Sequence, residues 1–355
     1  MQNRPQRRLG YACKRSANSG FFDFISRLVR CMGISAVLAL ATGCAWQGES
    51  PTPCGPVTAR YSLIPLPFVP TSINNSRRIA GTTEAHRAAI WSERTGLYEI
   101  PMPAGFKNTE GIAINNAGHV LVMAYDLTFT RRQAFIFSHG RLTQLPGQQT
   151  RGFRINDQDD VAGEAAELGT GKTVPVYWSK NRLHQIDTCC GGSAKDMSRQ
   201  GTVIGDVYDA NGHYSAFKWT TKDGVQTLGP ADRFSSAITI NSRGHVLIEA
   251  SPDIYFYDSQ NFNKLVLAKK FKSHPYAISD CDVVVGAYGP FSDKYRAFIW
   301  DAGTGFADLN ARLTPDSGWK LKSANGLNIH GDIVGQGTFN GDEGSGFLLL
   351  PIREK

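Results

Sequence analysis

One short pattern recurs seven times along the chain and constrains its fold more than any other feature. An apolar residue precedes an Asn or Ser, then a polar turn, then an apolar strand. The copies are Ile73-Asn74, Ile114-Asn115, Ile155-Asn156, Met197-Ser198, Ile240-Asn241, Ile278-Ser279 and Leu327-Asn328, spaced by 41, 41, 42, 43, 38 and 49 residues. A period of this length marks repeated supersecondary units, each burying its apolar face against its neighbours.

Each copy reads as four short strands. The first ends at the anchor. The turn that follows, such as Asn115-Asn116-Ala117-Gly118, carries side chains that bond their own backbone and a Gly that tolerates positive φ. A second, aliphatic strand follows, as in Val203-Ile204-Gly205, and a third with aromatics, as in Ala216-Phe217-Lys218-Trp219. The fourth, such as Leu142-Thr143-Gln144-Leu145, has apolar residues three apart, but it is too short and too turn-flanked for a helix.

Four strands per about 40–45 residues is the period of a propeller blade. The last copy stops after its third strand near Pro351, and the missing fourth appears at the front as Arg60 to Pro67. The expectation is an all-β, seven-bladed β-propeller of four-stranded antiparallel blades over residues 58–351. An N-terminal strand completes the last blade, closing the ring and removing its open edges. Residues 352–355 form a tail. The 37 Gly and 17 Pro fit this turn-rich reading, and 355 residues make one domain rather than two.

Residues 1–43 have a different character. They carry seven basic residues and one acid, and an apolar run from Met32 to Gly43 too short to span a bilayer. That is the layout of a signal peptide. Leu40-Ala41-Thr42-Gly43-Cys44 resembles a bacterial lipobox, with Ala41 where that motif prefers Leu, so Cys44 is the expected lipidation site. Ordinary secretion with cleavage near Ala45 is the alternative. Residues 44–57, rich in Pro and Gly, read as a tether reaching roughly 40 Å when extended.

The formal charge of +7 invites a nucleic-acid partner until it is located. Residues 1–43 hold +6 of it, and the rest, with 31 basic and 30 acidic residues, holds +1. No nucleic-acid partner is expected. In an oxidising compartment Cys54, Cys189, Cys190 and Cys281 can pair in three ways.

The repeat is similar to the bacterial extracellular HAF-repeat family, whose signature couples an Ile-Asn…Gly-Val-Val-Gly turn and strand with a His-Ala-Phe-aliphatic-Trp strand. This chain keeps Ala134-Phe135, Ala216-Phe217 and Ala297-Phe298, with Gln133, Ser215 and Arg296 in place of the His. The resemblance covers nearly the whole chain after the leader. It implies a secreted or surface propeller, specific to a repeat rather than to a chemistry.

Motif searches return little chemistry. Gly169-Thr170-Gly171-Lys172-Thr173 lacks the first glycine of a phosphate loop, Ala166 standing there, and reads as a hairpin turn. Asn156 to Asp160 lacks the Gly and distal Glu of a calcium loop. His119 and His245 occupy equivalent turns and read as surface residues. Lys269 to Lys272 reads as a solvated loop. No metal or cofactor is expected.

The first strand of each blade lines the channel. Four residues before the anchor stand Pro70, Gly111, Gly152, Ala194, Ala237, Pro275 and Ala324, all small or Pro. Two before it stand Ser72, Ala113, Arg154, Asp196, Thr239, Ala277 and Gly326, which strict alternation places on the same face. Arg154 and Asp196 then lie on neighbouring blades and pair. Glu110, Arg151 and His274 approach the channel mouth. The five residues Glu110, Arg151, Arg154, Asp196 and His274 are the candidate binding site.

The expected function is a non-enzymatic, monomeric envelope or surface lipoprotein, held to the membrane by its lipid and binding a protein or glycan. One alternative is a hydrolase or lyase acting on polysaccharide at the channel mouth. A second is an outer-membrane assembly scaffold.

Overall fold

The computed structural model describes residues 60–230, 234–265, 267 and 271–352. The candidate signal peptide, Cys44, the tether, Cys54, Lys269, Lys270 and the tail beyond Ile352 lie outside the described residues. These form seven four-stranded antiparallel sheets. The inner strands are Val69–Ile73, Asn108–Ile114, Gln148–Ile155, Gly192–Met197, Ser236–Ile240, Ser273–Ile278 and Trp319–Leu327. Each contacts the next, and the seventh contacts the first, so the ring closes.

Blade 7 is built from both ends of the ring. Its outermost strand is Tyr61–Leu66, paired antiparallel with Asp342–Pro351 from Tyr61 opposite Pro351 to Leu66 opposite Gly346. The molecule is a seven-bladed β-propeller closed by its N-terminal strand, as the incomplete last copy implied.

The core lies between blades. Each cluster joins two neighbours, as where Leu121, Met123 and Ala134 of blade 2 pack with Val161, Val176 and Trp178 of blade 3. The three-residue spacing in the fourth strands has its cause here. Ile100, Leu145 and Ile186 follow directly on those strands and tuck inward, their N–H groups donating to Ala88, Ala134 and Pro175 carbonyls at 2.8, 2.9 and 2.9 Å. In blade 5 the fourth strand is Phe262–Leu265.

The Asn anchor carries two jobs, which explains the repeat. Its Oδ1 caps the turn: Asn241 Oδ1 accepts from the N–H groups of Arg243 and His245 at 3.1 and 3.0 Å. Its Nδ2 reaches the next blade in four of the five Asn anchors, while that of Asn156 donates to Asp160 of its own turn at 3.3 Å. Asn328 donates to the Asn74 carbonyl at 3.2 Å, Asn74 to Asn115 at 2.9 Å, Asn115 to Asn156 at 2.9 Å and Asn241 to Ser279 at 3.0 Å. Ser198 and Ser279 perform only the first job, because a hydroxyl caps the turn but is too short to bridge.

The turn residue three after each anchor has positive φ. It is Gly118, Gly201, Gly244 and Gly331 in four blades and Arg77, Asp159 and Asp282 in the others. A non-glycine residue there is unfavourable. All three reach the preceding blade: Arg77 to Asp332 at 2.8 Å, Asp159 to His119 at 2.8 Å and Asp282 to His245 at 2.8 Å.

Candidate functional site

Every inner strand carries a β-bulge three residues before its anchor, seen as a register shift between the positions four and two before it. A bulge opposes two residues to one and breaks the period of two. The small residues and the Arg154 set therefore sit on opposite faces, which corrects the shared face expected from alternation. Gly205 of the second strand of blade 4 makes room for this bulge, since a Cβ there would sit 1.9 Å from the Ser193 carbonyl oxygen. The small residues crowd the neighbouring blade rather than the channel. A Cβ on Gly111 would lie 2.6 Å from the Gly81 oxygen, and one on Gly152 would lie 2.8 Å from Leu121.

The bulged residues are a set the sequence reading missed. Thr71 donates to the Gly111 carbonyl at 2.6 Å and Asn325 to the Pro70 carbonyl at 3.0 Å, each crossing to the next blade. Lys195 donates to Ser236 Oγ at 2.8 Å and pairs with the buried Asp206. Burial raises the Asp206 pKa above the ordinary carboxylate value, against the pull of Lys195. The only sequence signal was a lysine amid small residues, and it disappears when period two is assumed.

Arg154 and Asp196 do pair, Nε to Oδ1 at 2.6 Å and Nη2 to Oδ2 at 3.3 Å. Asp196 is 2% exposed, and its oxygens also accept from Thr239 Oγ1 at 2.7 Å, Ile240 N at 3.1 Å and Met197 N at 2.7 Å. The carboxylate thus ties blades 3, 4 and 5 and holds the guanidinium charged, raising its pKa. Arg154 borders a cavity of about 190 Å³ that also meets Ser72, Thr239, Asn241 and Asp280 at the anchor end of the channel.

Glu110, Arg151 and His274 lie three residues further along their strands, and none borders that cavity. Glu110 accepts from Tyr125 Oη at 3.2 Å, and burial together with Glu110 pushes the phenol up to about 12. Arg151 stands 3.9 Å from Glu164, which Arg132 approaches at 3.0 Å, and lies over the Phe153 ring at 4.8 Å. His274 Nε2 is 2.9 Å from Tyr295 Oη, and burial, with Lys272 nearby, lowers its pKa below 6.5. Among the described residues no hydrogen bond or ion pair joins these three. The five candidates thus bond in separate groups, Arg154 with Asp196, Glu110 with Tyr125, Arg151 near Glu164 and His274 with Tyr295.

Other motifs are absorbed by bonding within and between blades. Asp157 accepts from Asn116 N at 2.9 Å, and Asp160 accepts from Tyr177 Oη at 2.8 Å. His119 and His245 are not free surface residues, since each meets a carboxylate of the next blade. Residues 169–173 lie in a hairpin turn closed by Glu167 N to Lys172 O at 2.8 Å. Cys281 is disulfide-bonded and Cys189 and Cys190 are free thiols, so the pairings that join Cys281 to either are excluded.

The two ends of the ring differ. At the anchor end the turns form the polar network just described. At the other end, where second strands pass to third and fourth strands to the next blade, large apolar side chains stand in solvent. Leu127, Leu168 and Phe291 are 74%, 79% and 67% exposed there, with Phe129, Tyr214, Phe234 and Phe271 also exposed.

No family model matches the chain, and no curated protein matches it. Solved structures share the fold. Virginiamycin B lyase from Staphylococcus aureus aligns with a TM-score of 0.54 and 9% identity, covering 82% of this chain and all of that one. YCF48 bound to D1 peptide aligns at 0.51 and 10%, covering 84% of this chain and 99% of that one. A puromycin hydrolase variant complexed with PGG aligns at 0.51 and 12%, covering 80% of this chain and 52% of that one. At such identities the likeness is one of fold alone.

Proposed function

We propose that the chain is a non-enzymatic, lipid-anchored envelope propeller of the HAF-repeat kind, monomeric, that binds a glycan or protein through the end of the ring opposite its anchors. The observation that carries this reading is the contrast between the two ends. Polar groups of the channel such as Asp196, Thr71 and Asn325 are consumed in bonds between blades, while the most exposed large apolar side chains, Leu168, Leu127 and Phe291, stand at the other end and offer apolar contact to a partner. The outer strand of blade 7 starts at Tyr61 on the anchor side, so a lipid tether preceding it is attached away from those loops.

Two measurements test the reading. A panel of glycans and envelope proteins incubated with the full chain should give retained ligand of unchanged mass; turnover abolished by Glu110→Gln with His274→Ala would replace it with an enzymatic one. Membrane association should be lost in Cys44→Ser after a salt wash, and its persistence would remove the anchor. The second reading, a polysaccharide hydrolase or lyase, draws support from one pair. His274 has a lowered pKa and sits against Tyr295, the neutral state a general base requires.

A further inference from the structure

A cleft at the exposed end lies between blades 6 and 7, with a volume of about 640 Å³. That is within the range of about 300–1,000 Å³ typical of small-ligand sites. We infer that this cleft binds an anionic saccharide, which deepens the binding role proposed above and rests on it.

Charge is the first argument. Lys294 and Arg296 of blade 6 and Lys320 and Lys322 of blade 7 line the cleft, and among the described residues no carboxylate does. Arg296 is compensated by Asp308 at 3.0 Å and Lys322 by Glu343 at 2.8 Å. Lys294 and Lys320 have no ion-pair partner among the described residues, and both are exposed. Two positive charges are left facing one concavity.

Aromatic surface is the second. Phe271, Tyr295 and Trp319 border the same space. Flat apolar rings beside cations match a sugar carrying carboxylates or sulfates: C–H faces lie on the rings, and the acid groups take ammonium or guanidinium donors. The blade 6 wall is a paired hairpin, Tyr288 lying between Ser273 and Arg296, with no free strand edge for a peptide to extend. That favours a saccharide over an acidic peptide.

Preorganisation is the third. Asp308 stands behind the wall and accepts from Tyr288 Oη at 3.0 Å, Arg296 Nη1 at 3.0 Å and Asn310 N at 2.9 Å. Asn310 Oδ1 in turn accepts from Leu321 N at 2.7 Å, fastening the short 3-10 turn Leu309–Arg312 to the inner strand of blade 7. One carboxylate thus holds three cleft groups in place, so little ordering is left to occur on binding.

The test is calorimetric titration of the full chain with oligogalacturonate, a neutral maltooligosaccharide of equal length and poly-glutamate. Oligogalacturonate should bind, weaken as salt rises, and bind at least ten-fold more weakly to Lys294→Ala/Lys320→Ala, whose melting temperature should match wild type. Lys180→Ala/Lys222→Ala, which removes two exposed charges from turns at the anchor end, should bind normally. Unchanged binding by the lysine variant, or tighter binding of poly-glutamate, overturns the assignment. No binding of oligogalacturonate by wild type also overturns it, while capture of a neutral glycan or an envelope protein by the same chain would leave the broader reading standing. An equal loss in the anchor-end variant also overturns it, since the effect would then be one of overall charge rather than of the cleft.

Discussion

Asp196 of blade 4 receives the Arg154 guanidinium of blade 3 at 2.6 Å while its other oxygen accepts the Thr239 hydroxyl of blade 5 at 2.7 Å. The two partners are unequal. Arg154 keeps 34% of its side chain in solvent and Asp196 only 3%. Removing one member of a buried pair costs roughly 3–5 kcal/mol, mostly for the charge left behind. Asp196→Ala should approach that range, because it strands the guanidinium and three further donors. Arg154→Met leaves the buried carboxylate without its counter-charge but with three hydrogen bonds to neutral donors, and should cost about 2–3 kcal/mol. Urea denaturation of both variants checks the order, and equal losses would contradict this division of roles.

Asn115 separates the two jobs of the repeat anchor. Asn115→Ser should keep the turn cap, as Ser198 and Ser279 do, and lose the bridges to the Asn156 carbonyl and Asp159. A loss of about 1–2 kcal/mol is expected for such buried bonds, with Asn115→Ala losing more. Ser198→Asn should add a bridge to blade 5 and gain about 0.5–1 kcal/mol. Denaturation midpoints of the three variants decide it.

The ring was legible because period and anchor are both written locally. Seven Ile-Asn-like anchors fixed the number of blades, and the spare strand at Tyr61 fixed the closure. The channel face was not legible, because one bulged residue per inner strand inverts every side chain beyond it, and a bulge at Lys195 leaves no mark that alternation detects. Arg154 and Asp196 were still paired correctly, since residues two before their anchors lie past the bulge and keep register between blades. The cleft was invisible for another reason: Lys294 and Lys320 meet only through the packing of two blades.

His274 gives a pH signature. Burial and Lys272 place its pKa below 6.5, so the folded state resists protonation more than the unfolded chain does. The stability linked to it is complete above pH 6.5 and falls as pH drops below that value. NMR titration should give a His274 midpoint below 6.5, and Lys272→Ala should raise it. His274→Gln should flatten that part of the stability profile, and a midpoint at or above 6.5 would count against the environment described.

Asp206 responds to pH in the opposite sense. Asp206 has a pKa raised by burial, held down in part by Lys195. A raised carboxyl favours folding when protonated, so the stability associated with it is present below 3.8 and lost as pH rises through the folded value. Lys195→Met removes the opposing charge and lifts that pKa further. The variant should therefore be destabilised more at pH 7 than at pH 4, and Lys195→Met/Asp206→Asn should recover much of the loss at pH 7. Urea denaturation at both pH values measures this, and a penalty independent of pH would show that Lys195 acts through its bond to Ser236 rather than through its charge.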